Sequence, residues 1–399
     1  MFDKYKIFKI IDKVIFTFQE DDMFWFERFY QNKFSSFLVS GKVLVMYGPR
    51  RVGKTSLIKK FLETYEGKVY AGAGEDMPLR DLFRSQNISM ITDAFSGYDI
   101  VFIDEAQKIT DVGTALKIIV DHIPGVKVIA SGSSSFELSA RLGEPLTGRN
   151  RSMLLFPLSM LEIKEQFGPM NILQNLESYL IFGTYPEVMT ADNNNNRKEY
   201  LINLRDSFLF RDILELENIK SSDKLSDLLR LLAFQIGHEV SANELGTQLG
   251  MSKNTVEKYL DLLEKSFVIR KVRGFSRNLR KEITKNSRYY FLDNGIRNAV
   301  INNFNPVNSR DDIGMLWENF LFIERMKKLN YQALYSNVYF WRTYDGKEID
   351  LVEERDGKLS GYEFKWSGKK TKPVKLWNET YPDADFETIT RENFLNFVS

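Results

Sequence analysis

The chain has 399 residues, which predicts about two to four domains, and a formal net charge of +1, which gives no global attraction to nucleic acid. It has no cysteine and two histidines, His122 and His238, so disulfides, thiolate catalysis and Cys/His zinc sites are excluded. Any metal must be held by oxygen ligands and phosphates, which points to Mg²⁺ or Mn²⁺. No apolar run approaches the ~20 residues that cross a bilayer, and the lysine-interleaved N-terminus is no signal peptide, which together predict a cytoplasmic, soluble protein without a membrane partner.

The first 157 residues alternate between short apolar runs and helical stretches. The predicted strands are Val43–Tyr47, Lys68–Ala71, Ile100–Asp104, Val126–Ser131 and Met153–Phe156. Strands that alternate with helices form a parallel sheet covered by helices on both faces. We therefore predict an α/β domain over residues 1–157.

A phosphate-binding loop of the form G-x-x-x-x-G-K-[ST] follows the first strand. The loop and the residue after it are Gly48, Pro49, Arg50, Arg51, Val52, Gly53, Lys54, Thr55 and Ser56. The glycines let backbone N–H groups surround phosphates, Lys54 supplies a full charge, and Thr55 presents a hydroxyl to Mg²⁺. A helix over Ser56–Tyr65, ended by Gly67, is predicted next. The strand–loop–helix context disfavours the alternative of a solvated Gly/Lys loop, so the sequence predicts a P-loop NTPase domain that binds ATP.

The third predicted strand ends in two carboxylates, Asp104 and Glu105. Asp104 is expected to hold Mg²⁺ beside Thr55, and Glu105 is expected to orient and deprotonate the attacking water. The alternative is a strand that simply ends in solvated acidic residues. The upstream loop, about fifty residues away, favours the catalytic interpretation.

Small polar and basic residues follow the next strand. Ser131 or Ser133 could hydrogen-bond the γ-phosphate or the water, although an ordinary Ser/Gly turn explains them equally well. Arg149 or Arg151 could stabilise charge in the transition state. A solvated or structural arginine is the alternative at both positions.

The sequence predicts a helical lid over residues 158–218. Its helices are interrupted at Gly183-Thr184-Tyr185-Pro186, and the polar run from Asp192 to Asn196 is predicted to be an exposed loop.

Residues 219–304 have the pattern of a winged-helix domain. A helix capped by Ser241 runs through Leu249, Gly250 starts a turn, and a second helix covers Lys253–Lys265. Two strands then pair as a β-ribbon. They are predicted at Phe267–Val272 and Arg288–Leu292.

Residues 305–399 predict one helix, Gly314–Leu329, and then strands joined by hairpin turns. The strands are Val338–Arg342, Glu348–Glu353 and Leu359–Trp366, with turns at Asp345-Gly346 and Asp356-Gly357.

Several of these motifs together resemble the AAA+-type ATPases of bacteria and archaea. They are the loop at 48–55, Asp104-Glu105, Ser131-Gly132-Ser133 and Gly148-Arg149. More narrowly, the chain resembles the subfamily in which helices, a winged helix and a restriction-endonuclease-like PD-(D/E)xK domain follow the ATPase domain. Its segment Phe182-Gly183-Thr184-Tyr185-Pro186-Glu187 is similar to that subfamily's Gly-Gly-Tyr-Pro-Glu segment, with a looser match over its first three residues. The resemblance implies ATP binding and hydrolysis.

Strand alternation places charged residues of the last region on shared faces. Glu348 and Asp350 share one face of their strand, and Glu363 and Lys365 share one face of the next. Two carboxylates on Mg²⁺ with a nearby lysine form the arrangement of metal-dependent nucleases, and the resemblance implies that Glu318 completes the metal shell. An ordinary charged strand face is the alternative, and the sequence leaves both open.

Basic residues concentrate in the predicted winged helix. Between residues 250 and 290 there are eleven Lys or Arg against four carboxylates. A second basic cluster comprises Lys369, Lys370, Lys372 and Lys375. Basic charge beside a reading helix is the electrostatic footprint of DNA binding. The side chains expected to face the DNA groove are Lys253, Asn254, Thr255 and Lys258. A solvated basic face or a protein contact is the alternative.

Two functions therefore stay open. One is an ATP-driven enzyme acting on DNA, in which ATP binding changes the angle between domains and gates a Mg²⁺-dependent nuclease. The other is a nucleotide switch whose C-terminal domain is a scaffold without nuclease activity. A small-molecule kinase is less favoured, because nothing after Asp104-Glu105 indicates a phosphoacceptor pocket. The oligomeric state is also open, with a homo-oligomer among the alternatives.

Overall fold

The structure is a computed structural model that describes residues 24–133, 146–207, 222–276, 286–343, 346–368, 371–372 and 375–399. Its contacts divide the chain into two compact units, Met1–Phe156 and Pro157–Ser399. Each unit is built around its own β-sheet. No helix among the described residues is long and apolar enough to cross a membrane.

The first unit contains a five-stranded parallel sheet. Its strands are β1 (Val43–Tyr47), β2 (Val69–Ala73), β3 (Ile100–Asp104), β4 (Lys127–Gly132) and β5 (Asn150–Leu154). They lie in the order β2-β3-β4-β1-β5, and every neighbouring pair is parallel. The apolar run Ile100–Ile103 is buried throughout, as expected for a strand covered on both faces. The predicted α/β fold is confirmed.

The first unit also contains five described α-helices, of which the first precedes β1 and the others lie between strands. They are α1 (Phe34–Phe37), α2 (Lys54–Glu63), α3 (Met77–Arg84), α4 (Ile88–Phe95) and α5 (Val112–His122). The helix after the phosphate loop begins at Lys54, two residues earlier than predicted, and ends at Glu63, before Gly67. The early start matters because it brings Lys54 and Thr55 into the first helical turn.

The second unit begins with helices. Those before its sheet are α6 (Met160–Phe167), α7 (Pro169–Phe182), α8 (Pro186–Thr190), α9 (Asn194–Leu204), α10 (Ser222–Phe234), α11 (Ala242–Leu249) and α12 (Lys253–Lys265). Three further helices lie between strands of the sheet, and they are α13 (Asn294–Val300), α14 (Ile313–Tyr331) and α15 (Lys375–Thr380). Helix α16 (Phe394–Val398) follows the last strand. The break between α7 and α8 falls where it was predicted. The predicted loop over residues 192–196 is wrong in its second half, because Asn193 accepts hydrogen bonds from the N–H groups of Asn195 and Asn196 and caps α9.

A six-stranded mixed sheet completes the second unit. Its strands are β6 (Ile269–Gly274), β7 (Arg288–Phe291), β8 (Asn337–Arg342), β9 (Glu348–Arg355), β10 (Lys358–Phe364) and β11 (Asp385–Ile389), in the order β11-β10-β9-β8-β6-β7. Asp356 and Gly357 form the predicted two-residue hairpin turn between β9 and β10, both with positive φ. Asp345, in the other predicted turn, lies outside the described residues.

The pair β6–β7 belongs to the same sheet as the C-terminal strands. These two strands pair antiparallel, as predicted for a β-ribbon, and Arg273 and Gly274 of β6 then pair in parallel with Tyr339 and Phe340 of β8. One sheet therefore joins strands from both sides of the predicted border at residues 304 and 305. This continuity brings a side chain of β7 to the carboxylates of β9.

Helices α11 and α12 form a compact helix–turn–helix. Ser241 and Ser252 cap the two helices through their side-chain oxygens, and Gly250 ends the first helix in a left-handed conformation. Both helices have the predicted bounds. Their buried side chains include Leu245, Val256 and Leu263.

Candidate functional site

The phosphate loop runs from the end of β1 to the start of α2. Gly48 opens it at φ +148°, and a Cβ placed there would lie 2.0 Å from the carbonyl oxygen of Leu155. Only glycine allows so close an approach of two backbones. Gly53, at φ +92°, directs the chain into the first turn of α2. The N–H groups of this turn have no partners within the helix and are available to an anion.

Lys54 lies inside the loop. Its side chain is buried, and Nζ donates to the carbonyl oxygens of Gly48 and Pro49, each at 2.8 Å. Burial lowers the pKa of Lys54 to about 8, against the opposing effect of the charges on Glu105 and Asp104. The loop thus holds an ammonium group whose charge is poorly solvated and directed at the space that the loop encloses.

Arg28 supports the loop from outside, and reasoning from the sequence missed it. Its Nη1 donates to the carbonyl oxygen of Val52, and its Nη2 donates to the carbonyl oxygen of Phe156 at 2.6 Å. The side chain is buried. A single arginine in an aromatic-rich segment forms no motif, so no signal in the sequence pointed to it.

Asp104 is brought together with Thr55 and a serine. The Thr55 hydroxyl lies 2.9 and 3.1 Å from the two carboxylate oxygens of Asp104, and the Ser131 hydroxyl donates to Oδ1. This follows from the strand order, since β4 lies between β1 and β3 and the carboxyl ends of all three strands meet at one edge. Hydroxyl and carboxylate oxygens are the donors that Mg²⁺ prefers, so the set fits this ion.

Glu105 sits in an unusual backbone conformation. Its φ is +47°, a left-handed value that costs energy in a residue with a side chain and often occurs at functional sites. The neighbouring strand end accommodates it, because a Cβ at Gly74 would lie 2.2 Å from the carbonyl oxygen of Glu105. The Glu105 N–H is directed to Asp104 Oδ1 at 3.1 Å and to Ser131 Oγ at 3.3 Å.

The Glu105 carboxylate is held by two side chains. Gln107 donates from Nε2 to Glu105 Oε2 and also lies 3.2 Å from Ser133 Oγ, while that hydroxyl is 3.5 Å from the same carboxylate oxygen. Ser131 and Ser133 thus both reach the acidic pair, whereas their predicted hydrogen bond to the γ-phosphate or the water stays a prediction. Gln107, which is buried, is a further residue that sequence reasoning missed, although its place two residues after Glu105 was a usable signal.

Arg149 lies elsewhere. Its carbonyl oxygen accepts from the N–H of Val43, at the start of β1, and its Nε forms an ion pair with Asp121 Oδ1 at 2.8 Å. The phosphate loop begins at the other end of β1, about 13 Å away at ~3.3 Å per residue. Arg151 donates from Nη1 to Ser36 O at 3.1 Å. Within this chain Arg149 does not lie beside the phosphate loop, because β5 is parallel to β1 and starts at the opposite end of the sheet. Its role in stabilising transition-state charge stays a prediction.

The second unit gathers acidic residues that we call the carboxylate cluster, defined as Glu318, Glu348, Asp350 and Glu363. Asp350 is buried and its Oδ2 accepts from the N–H of Phe364 at 2.7 Å, while Lys365 Nζ lies 2.6 Å from Glu363 Oε1. Strand pairing and α14 therefore bring the predicted residues into one neighbourhood.

Burial governs the electrostatics of this cluster. It raises the pKa of Asp350 well above its usual range, and the nearby charges of Glu318 and Glu363 raise it further. Burial likewise raises the pKa of Glu318. For Lys365 burial acts to lower the pKa, but the bond to Glu363 and the charges of Asp350 and Glu318 outweigh it, so the net shift is upward.

An arginine that the sequence assigned to a strand points into the cluster. Arg288 Nη2 lies 2.5 Å from Glu348 Oε2, and Nη1 lies 3.6 Å from Glu318 Oε1 and 3.9 Å from Asp350 Oδ1. Among the residues that the structure describes, no group of three or more Asp, Glu or His is arranged to hold a metal ion. The predicted Mg²⁺ shell of Glu318, Asp350 and Glu363 is therefore not assembled.

The basic surface of the helix–turn–helix is narrower than its sequence suggests. Outside the described residues lie Arg277, Arg280, Lys281, Glu282, Lys285, Lys369 and Lys370. Each of the three described acidic residues between residues 250 and 290 forms an ion pair with a basic residue of this region. The pairs are Lys253–Glu257 at 3.5 Å, Lys265–Asp261 at 2.6 Å and Arg270–Glu264 at 3.7 Å. Lys253, Asn254 and Lys258 remain exposed at the start of α12.

The segment Phe182–Glu187 has a structural role in the second unit. The N–H of Thr184 donates to Asp293 Oδ2 at 2.8 Å, and its hydroxyl lies 3.3 Å from Lys327 Nζ. Lys327 in turn pairs with Glu324 at 2.6 Å. All of these groups are buried, so the segment ties α7 to α13 and α14 through a satisfied polar network.

Comparison with known families divides the chain in three. Residues 40–164 match a family model described as an AAA domain. Residues 173–307 and 313–390 match two models described as domains of unknown function, DUF8612 and DUF4143. Together with the parallel sheet and the phosphate loop, the first match defines an AAA-type P-loop ATPase domain.

Whole-chain relatives are distant. The chain is 25% identical over 326 residues to the uncharacterized protein Rv2008c of Mycobacterium tuberculosis, covering 81% of this chain and 70% of that protein. It is 24% identical over 403 residues to the uncharacterized protein MJ1544 of Methanocaldococcus jannaschii, covering 90% and 88%. An uncharacterized protein of Haemophilus influenzae is 24% identical over 338 residues, covering 78% and 80%.

Similar solved structures are also remote. One is the signal transduction ATPase with numerous domains (STAND) protein PH0952 of Pyrococcus horikoshii, with a TM-score of 0.30, 16% identity and coverage of 78% of this chain and 47% of that one. Another is a variant of RuvB from Thermotoga maritima, with a TM-score of 0.29, 15% identity and coverage of 64% and 93%. Likeness at this level transfers no function.

Proposed function

We propose that this protein binds and hydrolyses ATP with Mg²⁺. The observation that carries the proposal is the meeting of the Thr55 and Ser131 hydroxyls on the Asp104 carboxylate, beside the phosphate loop that contains Lys54. Thr55 and Asp104 would hold Mg²⁺, which when bound with ATP neutralises charge on the phosphate oxygens.

Within this proposal each side chain has a distinct task. The loop N–H groups and Lys54 bind and orient the phosphates. Glu105 accepts a proton from the attacking water. Gln107 and Ser133 keep the Glu105 carboxylate in one orientation, because both contact Oε2. Ser131 positions Asp104 and the Glu105 N–H together.

The test compares two lysines of the same helix. Binding of Mg²⁺-ATP and release of phosphate are measured for the unchanged protein, for Lys54→Ala and for Lys60→Ala, an exposed residue of α2. We expect Lys54→Ala to lose at least about 10²–10³-fold in turnover and to bind ATP weakly. Lys60→Ala should match the unchanged protein. Equal activity of all three would refute the proposal.

For the second unit we infer DNA binding through α11 and α12. The capped helix–turn–helix supports this inference, because it presents Lys253, Asn254 and Lys258 on an exposed surface at the start of the second helix. Lysines at this place could contact DNA phosphates, and such contacts make affinity depend on salt.

The DNA inference is tested by charge reversal. Lys253→Glu/Lys258→Glu should weaken binding to a DNA duplex at least about tenfold. The slope of log affinity against log salt concentration should also become shallower by about one to two units, about one for each phosphate contact that is lost. Lys60→Glu/Lys358→Glu makes the same charge change at exposed lysines of two other elements, α2 and β10, and should leave affinity unchanged. If both double variants lose affinity equally, the attraction is non-specific and α12 is not the binding element.

Of the two alternatives for the C-terminal region, we favour the nucleotide switch without nuclease activity. Asp350, Glu363 and Lys365 lie together, which is what a nuclease needs, but Arg288 contributes a cation in the same place. Plasmid incubated with Mg²⁺ or Mn²⁺, with and without ATP, should stay intact. Cleavage that is lost in Glu363→Ala would reverse this preference.

A further inference from the structure

Arg288 is a fully buried cation inside the carboxylate cluster. Its side chain is 1% exposed and enters from β7, whereas Glu318 lies on α14 and Asp350 on β9. The guanidinium also lies over the ring of Phe340, 4.5 Å from its centre. The group is therefore enclosed on one side by an aromatic face and on the other by acids from two different elements.

The contacts of Arg288 differ from those of Arg325, another buried arginine that contacts β9. Arg325 makes two hydrogen bonds to Glu353, at 2.6 and 2.9 Å, and a third to the carbonyl oxygen of Phe397. Arg288 makes one to Glu348, while its buried Nε and Nη1 have no hydrogen-bond partner among the described residues. Arg325 is thus a paired structural arginine, whereas Nη1 of Arg288 sits between two carboxylates without bonding either.

A position between two carboxylates at 3.6 and 3.9 Å is that of a bridging cation. Tyr290 donates its hydroxyl proton to Glu318 at 2.7 Å, and a Cβ at Gly237 would lie 2.6 Å from both oxygens of that carboxylate. Glu318 is therefore fixed toward Arg288 from two further sides. Glu363, another acid of the cluster, forms an ion pair with Lys365.

We propose that Arg288 is the resident cation of the carboxylate cluster and keeps divalent metal ions out of it. A divalent ion needs several carboxylate oxygens at about 2.0–2.6 Å, and a fixed guanidinium beside them opposes its entry by charge and by volume. The arginine acts as an internal substitute for the metal. This inference does not depend on the proposed ATPase activity, which involves the other unit.

The test measures Mn²⁺ binding to the nucleotide-free, full-length protein by the loss of the electron paramagnetic resonance signal of free Mn²⁺. The unchanged protein and Arg288→Lys, which keeps the charge, should show no site that depends on Asp350. Arg288→Gln should bind one Mn²⁺ more than the unchanged protein. The affinity for this additional ion should be at least about tenfold higher than any affinity that the unchanged protein shows at the carboxylate cluster. Asp350→Asn added to Arg288→Gln should abolish that gain. Arg325→Gln, the matched loss of a buried arginine that contacts β9, should gain no site.

Two outcomes would overturn the inference. One is an Arg288→Gln variant that keeps the circular dichroism spectrum of the unchanged protein but binds no additional Mn²⁺. The other is a Mn²⁺ site in the unchanged protein that Asp350→Asn removes. The comparison of the unchanged protein with Asp350→Asn uses no Arg288 variant, so it decides the question even where Arg288→Gln does not fold. Equal Mn²⁺ binding by the unchanged protein and Asp350→Asn supports the inference.

Discussion

Two groups of carboxylates lie at or beside strand ends in this protein, and they face different partners. In the first unit, Asp104 faces the hydroxyls of Thr55 and Ser131, and the nearby cation Lys54 is bonded to backbone carbonyls. In the second unit, Glu318 and Asp350 face the guanidinium of Arg288. Asp104 is contacted by neutral hydroxyls and interacts with the charge of Lys54 only at longer range, whereas Arg288 forms ion pairs with the acids of the cluster.

The difference separates an acidic group that suits a metal ion from one that resembles it only in composition. A buried carboxylate must be paired, hydrogen-bonded or protonated, because its desolvation is costly. Around Asp104 the donors are neutral, and in the proposed function Mg²⁺ would add to them. Around Asp350 a cation is already part of the chain. Acidic residue types at suitable spacing are therefore insufficient to define a metal site.

The sharpest test of the first group is Glu105→Gln. Loss of the carboxylate removes the proposed base without changing size, so ATP should bind as before while turnover falls about 10²–10⁴-fold. Phosphate release at saturating ATP, together with a binding titration, measures both quantities. Glu75→Gln, at an exposed carboxylate that pairs with Lys108, serves as the control. Normal turnover of Glu105→Gln would show that Glu105 is not the base.

The second group is tested by stability. Arg325→Gln breaks a doubly bonded buried pair and should lower the free energy of unfolding by about 3–5 kcal/mol. Arg288→Gln should cost less, because the one hydrogen bond that it removes goes to Glu348, whose side chain is 42% exposed and can be solvated instead. The buried acids keep other donors, since Glu318 still accepts from the Tyr290 hydroxyl and Asp350 from the N–H of Phe364. Urea unfolding of both variants measures the difference. A loss at Arg288 that equals or exceeds the loss at Arg325 would mean that Arg288 is an ordinary structural ion pair.

The pH dependence of ATP affinity tests the protonation state of the Lys54 side chain. Its pKa of about 8 means that the ammonium form declines as the pH rises above 8. Phosphate favours the charged form, so affinity should fall by at most about tenfold for each pH unit above this value. Phosphate groups themselves titrate near pH ~6 and do not interfere. Binding titrations from about pH 7 to about pH 9.5 measure the trend, and affinity that stays constant over this range would contradict it.

The smallest expected effect is that of Gln107→Ala. One hydrogen bond that orients Glu105 is lost, worth about 1 kcal/mol, so turnover should fall about fivefold. ATP affinity should not change. Gln248→Ala removes an exposed amide of α11 and provides the control. A loss as large as that of Glu105→Gln would assign Gln107 a direct part in the chemistry.

Local patterns indicated the residues of the first candidate site. The phosphate loop, Asp104 and Glu105 are read from short contiguous stretches, and strand order brings Ser131 next to them. The position of Arg149 depends instead on the end of the sheet at which β5 starts. Arg149 follows the phosphate loop by about a hundred residues, and only the start of β5 shows that it lies at the opposite edge.

Sequence alone determined that the chain has a P-loop domain with an acidic pair, because a loop between a strand and a helix is built by neighbours in the chain. It also determined which faces of β9 and β10 carry the acids, since alternation fixes this. Only the tertiary structure decided what those acids meet. Arg288 reaches Glu348 across 60 residues of chain, and Arg28 reaches the carbonyl oxygen of Phe156 across 128. Contacts between distant segments depend on the packing of the whole unit, which leaves no local pattern in the sequence.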